Sequence, residues 1–286
     1  MIFKKIIAYG DSWTVGEGWD DAEENKRLEL SPDWRNCTKG YCAQPKVLMD
    51  MRNEHSWVRW LADKLNVPYE IRAVCGGRNY EMFSHMISDF QSKDINRDTL
   101  LICMWSSALR ETVDFFPNTF DEPQPFVFWS GDLMGDYGRF LKEEHSNFEY
   151  HYKKYFVTEL LDTSYFDYKS FNYKKLIEKY TEYYGIPFLQ CNAFEPEKVR
   201  RNTEDTSFIS WDKTYFKPNS SMFDEIVGSG DDIWQDKDEF KHKKIKEYLN
   251  ALHPNTKGYK IIADILYEHI IKNDLHNRVR LQSGII

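Results

Sequence analysis

Four short apolar runs, at 2–9, 69–74, 99–105 and 186–191, limit what this chain can become. They read as strands buried on both faces of a parallel sheet. Helical spacing fills the intervals between them. At 56–65 the periodicity places Trp57, Trp60, Leu61 and Leu65 on one stripe, with Asn66 and Pro68 as a stop signal. Further helices are predicted over 80–90, 173–184 and 257–272. The last carries Ile261, Ile262, Ile265, Leu266 and Ile270 on its apolar side. Strands alternating with helices predict an α/β fold: a three-layer α/β/α arrangement around a mostly parallel sheet.

Three segments break the alternation. Residues 20–53 are polar and irregular and read as an excursion after the first strand. Residues 111–167 are aromatic-rich, contain Pro117, Pro123 and Pro125, and are too long for a plain loop. They read either as a lid or subdomain beside a site, or as a helical insertion packing its rings on the main body. Residues 202–241 are polar and turn-rich around Gly228-Ser229-Gly230-Asp231-Asp232. The expected organisation is one domain over 1–286 carrying these three insertions, and no internal repeat is visible.

Bulk composition narrows the function. A chain of 41% hydrophobic and 29% charged residues is that of an ordinary globular protein. A formal charge of −8 argues against nucleic acid as a partner, because phosphate binding relies on Lys and Arg releasing counterions. No run approaches the ~20 apolar residues of a membrane span, and residues 1–8 are too soon interrupted for a secretory signal, so a cytoplasmic protein without a membrane partner is expected. Of the five cysteines, Cys75, Cys103 and Cys191 fall at or near the ends of apolar runs, as reduced core thiols do. Cys37 and Cys42 have no second pair and no His cluster nearby, which argues against zinc. No other spacing calls for a metal.

The chemistry concentrates at the two ends of the chain. The first strand leads into Gly10-Asp11-Ser12-Trp13, followed by Gly16-Glu17-Gly18. A serine there sits at the carboxyl edge of the sheet, where open α/β folds place their ligands, and Gly10 allows a tight turn. Ser12 is alternatively a helix N-cap. A phosphate loop is disfavoured, since no Lys-Ser/Thr follows the glycines. Near the other end, His253-Pro254-Asn255 stands immediately before the last helix, with Pro254 fixing the backbone. A serine hydroxyl needs a base to become a nucleophile, and histidine serves near neutral pH.

Together these residues resemble the SGNH/GDSL hydrolase superfamily, whose fold is flavodoxin-like. Gly10-Asp11-Ser12-Trp13 is similar to its first block. Ala73-Val74-Cys75-Gly76-Gly77-Arg78-Asn79 follows the second strand as its second block does, 98–107 occupies the place of the third, and His253-Pro254 with Gly258 resembles the last. The resemblance implies Ser12 as nucleophile, His253 as base, and an oxyanion hole built from the Ser12 N–H, the N–H of Gly76 or Gly77, and a third-block side chain. Where the family has Asn, this chain has Ser107, which could instead be a helix cap; Asn79 or Arg110 could supply the donor. Asp11, Trp13, Trp105 and Arg110 flank these positions and are expected to contact substrate.

A second departure is Asn250, which stands where the family places the Asp three residues before the His. An amide can hold an imidazole tautomer but gives no negative charge to an imidazolium. The chain then works as a Ser-His dyad, borrows a carboxylate from Glu247 or Asp231-Asp232, or has weak or no activity. Trp105-Ser106-Ser107 with Arg110 and Glu111 also resembles divergent SGNH-like proteins of bacteriophages. The implied function is cofactor-free hydrolysis of a carboxylic ester, on a small molecule or an O-acylated glycan. An acyltransferase and a non-catalytic SGNH-like binding or assembly protein are the alternatives. No oligomeric state follows from these patterns.

Overall fold

A computed structural model of the chain describes residues 3–19, 46–92, 95–107, 111–115, 124–128, 163–194, 214–217, 219–228, 239–250 and 253–275. In chain order the elements are β1 (Lys5–Gly10), α1 (Ser12–Val15), α2 (Lys46–His55), α3 (Trp57–Leu65), β2 (Tyr69–Ala73), α4 (Asn79–Ser92), β3 (Thr99–Trp105), β4 (Glu111–Phe115), β5 (Gln124–Phe128), α5 (Thr163–Tyr184), β6 (Phe188–Asn192), α6 (Met222–Val227), α7 (Glu239–Tyr248), β7 (Leu249–Asn250), β8 (His253–Pro254) and α8 (Thr256–Lys272).

The main sheet is parallel throughout, in the order β2-β1-β3-β6. Its register sets Ala8 beside both Ile71 and Ile102, and Ile102 beside Leu189. Every residue of β3 and all but the first of β1 are buried, as a strand covered on two faces requires. The fourth apolar run enters the sheet only after Pro187, since proline has no N–H for the ladder and Ile186 still donates to Thr181 at the end of α5.

Side chains alternate along each strand, so the sheet feeds two separate cores. Ile6, Ala8, Leu100, Ile102 and Met104 meet α3, α6 and α8 on one face. Ile7, Tyr9, Leu101, Cys103 and Trp105 meet α4 and α5 on the other. Each fully buried Leu or Ile in these layers stabilises the fold by about 1.5–3 kcal/mol. The three-layer α/β/α expectation therefore holds.

Helix ends follow the local chemistry. The Ser56 hydroxyl accepts from the Val58 N–H to cap α3 and donates to the Thr14 carbonyl, tying α3 to α1. Asn66, at φ 52°, ends α3 where the sequence puts its stop. Asn255 accepts from the N–H groups of Lys257 and Gly258 and so starts α8.

The irregular segments contain more order than their composition suggests. Residues 46–53 of the stretch read as irregular belong to α2, which runs on to His55. Inside 111–167, β4 and β5 pair antiparallel with Val113 opposite Phe126, and α5 begins at Thr163 instead of 173. Inside 202–241, α6 is opened by a Ser221–Asp224 capping box. The same stretch also contributes 214–217, with Tyr215 and Phe216 buried, and the start of α7 at Glu239. Cys37 and Cys42 lie outside the described residues. Among the described residues no helix is long and apolar enough to cross a membrane.

Candidate active site

Beyond β1 the chain turns at Asp11, whose extended backbone and side chain cap α1, leaving Ser12 as the first helical residue. Gly10 is required there for space: a Cβ would collide with the Thr14 side chain. At the far end, β7 and β8 form a two-residue antiparallel pair with Asn250 opposite His253. This pairing, the rigid Pro254 and the Asn255 cap fix the histidine at the mouth of α8. The result is a direct contact: His253 Nε2 lies 2.9 Å from Ser12 Oγ, across 241 positions of sequence.

The two ends are laced together around that contact. The Tyr259 hydroxyl donates to the Glu17 carbonyl at 2.6 Å, and the N–H and hydroxyl of Thr256 both donate to the Trp19 carbonyl at 3.2 Å. Burial pushes the Tyr259 phenol well above its ordinary range, so it remains a donor. Gly18 adopts φ 81°, and a Cβ on it would stand 2.6 Å from His253 Cβ. Only glycine lets the segment after α1 pass this close to the imidazole.

The acid side of the site differs from expectation. Asn250 donates its amide to the Gly18 carbonyl at 2.9 Å, so it anchors the glycine turn and does not orient the imidazole. Glu247 faces Lys257 at 4.0 Å on the surface and lends only its carbonyl to Asn255. Asp231 and Asp232 lie outside the described residues. Among the described residues, the carboxylate of Glu17 lies beside His253: Oε2 is 3.5 Å from Nε2, while Oε1 is 3.2 Å from Arg52 Nη2. Arg52 is buried, its side chain 6% exposed, and its Nη1 also reaches Cys75 Sγ at 3.2 Å. Sequence reasoning missed both residues. The available signal was an acid between two glycines, one turn after the serine.

On the oxyanion side, Gly77 donates its N–H to the Val74 carbonyl at 2.8 Å, and a Cβ there would press on Val74 and Gly10 carbonyls. Gly77 thus serves the turn, and Gly76 beside it adopts φ 74°. Neither the Ser12 nor the Gly76 N–H has a hydrogen-bond partner among the described residues. Asn79 is already engaged: its amide donates to the Ser106 carbonyl at 3.1 Å and to Ser170 Oγ at 2.9 Å, and its oxygen accepts from the Ser106 N–H. Ser107 is half-buried, and Arg110 lies outside the described residues.

Three residues expected to touch substrate are core residues instead. Asp11 is fully buried, accepting from the Trp13 N–H at 3.0 Å and from Ser106 Oγ at 2.7 Å, and so joins the ends of β1 and β3. Trp13 packs edge-on against Phe194 at 5.0 Å with no exposed surface. Trp105 points into the opposite core and donates Nε1–H to Gln190 at 2.9 Å. Cys103 and Cys191 are buried free thiols pushed upward in pKa, chiefly by burial; Cys75 lies at intermediate depth. Among the described residues no three His, Cys, Asp or Glu side chains gather as a metal site would need.

No family model and no curated protein matches the chain. Among solved structures, one assigned to a lipolytic protein of the G-D-S-L family from Desulfitobacterium hafniense is similar at a TM-score of 0.34 and 11% identity. That alignment covers 93% of this chain and 99% of that one.

Proposed function

We propose that the chain is a serine ester hydrolase of the SGNH/GDSL type, with Ser12 as nucleophile and His253 as general base. The observation that carries this reading is the 2.9 Å contact between Ser12 Oγ and His253 Nε2 at the carboxyl edge of the sheet. The motif order from Gly10 to Gly258 supports it independently.

In the proposed reaction Ser12 Oγ bonds to the acyl carbon while its proton passes to His253 Nε2. The carbonyl electrons move onto oxygen, where the uncommitted N–H groups of Ser12 and Gly76 are the nearest match to an oxyanion hole. A single such donor is worth about 10²–10³ in rate. The intermediate collapses, the C–O bond to the leaving alcohol breaks, and Nε2 returns the proton to it. Water, activated by the same imidazole, then releases the acid and regenerates Ser12. Nothing in this sequence of steps calls on a cofactor. The substrate class is a carboxylic ester, an O-acylated glycan among the options.

A fluorophosphonate probe tests the proposal without knowledge of the substrate. Labelling of the parent at Ser12, its loss in Ser12→Ala, and slowing by about 10²–10⁴ in His253→Gln are the expected results. A parent that resists labelling at every pH overturns the enzyme and favours a binding or assembly protein on the same fold. Adding an alcohol acceptor and analysing the products distinguishes hydrolysis from acyl transfer.

A further inference from the structure

We propose that Glu17 is a counter-charge in this site: a positioning residue that stabilises the His253 imidazolium, itself held by the buried Arg52. This rests on the hydrolase reading above and adds to it the acid that Asn250 does not provide.

Glu17 is unusually well fixed for a residue in a glycine turn. Its N–H donates to the Ser12 carbonyl at 3.1 Å and its own carbonyl accepts from Tyr259. Its carboxylate is divided, with Oε1 toward Arg52 and Oε2 toward His253. Arg52 gives that arrangement permanence, since a guanidinium this buried needs a carboxylate at hand. Glycines on both sides let the loop fold back so that acid and serine face the same ring nitrogen.

The 3.5 Å separation suits this role. It is longer than a hydrogen bond, and a neutral imidazole that accepts from Ser12 at Nε2 has no proton there to offer Glu17. When the Ser12 proton arrives, Nε2 becomes an N–H donor bearing charge, and the waiting carboxylate becomes attractive. Glu17 takes no proton at any step. It remains an anion while the proton passes from Oγ to Nε2 and on to the leaving oxygen.

The test is the rate at which a fluorophosphonate labels Ser12 in Glu17→Gln and Glu17→Asp, with thermal melts of each. Glu17→Gln keeps the shape and removes the charge. Its labelling should slow about 10- to 100-fold, less than the ~10⁴ lost when a buried triad Asp becomes Asn, because Glu17 is 29% exposed and water screens it. Glu17→Asp should recover most of the rate. If Glu17→Gln does not fold, Glu17→Asp against Glu17→Asn repeats the comparison with two side chains alike in shape and unlike in charge. Equal labelling of the charged and neutral members of either pair overturns the proposal. A parent that is not labelled removes the hydrolase reading and this one with it, whereas a labelled parent with an equally labelled Glu17→Gln removes this one alone.

Discussion

Ser12 is 3% exposed, so the reactivity proposed for it would depend on neighbours that hold it in place as much as on the imidazole it touches. Gly18 is one of these. An added methyl would stand against His253 Cβ in a backbone conformation that side chains disfavour. Gly18→Ala should therefore lose roughly 1–2 kcal/mol of stability. Labelling of Ser12 should fall about 10²-fold, as misplacement by an ångström does. A variant that labels at the parental rate would show that the close approach does not matter. Asp11 acts more quietly. Asp11→Ala would remove the buried carboxylate that accepts from the Trp13 N–H and the Ser106 hydroxyl, at a cost of about 1–3 kcal/mol, measurable by urea denaturation. Ser12 and His253 were legible in sequence because each sits where an element begins or ends. Glu17 and Arg52 were not, because their pairing depends on how residues 46–55 pack against the turn after β1. Trp13 and Trp105 were assigned to the site by closeness in sequence, which does not say which way a ring points. For Trp105 the alternation with Cys103 and Leu101 already implied the core.

Elements carry their own electrostatics, and the first turn of α4 offers a pH-dependent case. Burial pushes the Glu81 carboxyl up, but hydrogen bonds from the Arg78 side chain and N–H outweigh it and hold Glu81 below the 4.5 of a free glutamate. A carboxyl depressed in the folded state adds stability at pH above its ordinary value and loses it as pH falls through the folded value. Melting temperatures of Glu81→Gln and the parent should thus differ near neutral pH and converge in acid. A gap of constant size from neutral to acid would mean that the pair contributes shape alone. Strands and caps were the parts of the fold that sequence described well: continuous apolar runs admit few alternatives, and Ser56, Asn66 and Asn255 each mark a boundary. The helix at 46–55 escaped notice because charged and polar residues outnumber the apolar ones along it. What buries Met51 and Arg52 is the tertiary fold.

At the scale of the whole molecule, the site exists only because one sheet holds two cores together. α8 lies on one face and presents His253 at its start, while α4 covers the other face and follows the Gly76-Gly77 turn. Nothing local links Ser12 to His253; the contact is a product of global packing. Leu266, on α8, and Met86, on α4, are both fully buried and belong to opposite faces. Truncating either to Ala should destabilise by about 2–5 kcal/mol, according to how far its cavity relaxes. If the sheet couples the faces, both variants should unfold in a single transition. In each, the helical circular-dichroism signal and the capacity of Ser12 to be labelled should then disappear at one temperature. The opposing outcome is specific: labelling lost well below the loss of helix in Leu266→Ala, with no such gap in Met86→Ala. That would make α8 a separately melting unit, and the meeting of the chain's two ends a docking event on a sheet that folds without it.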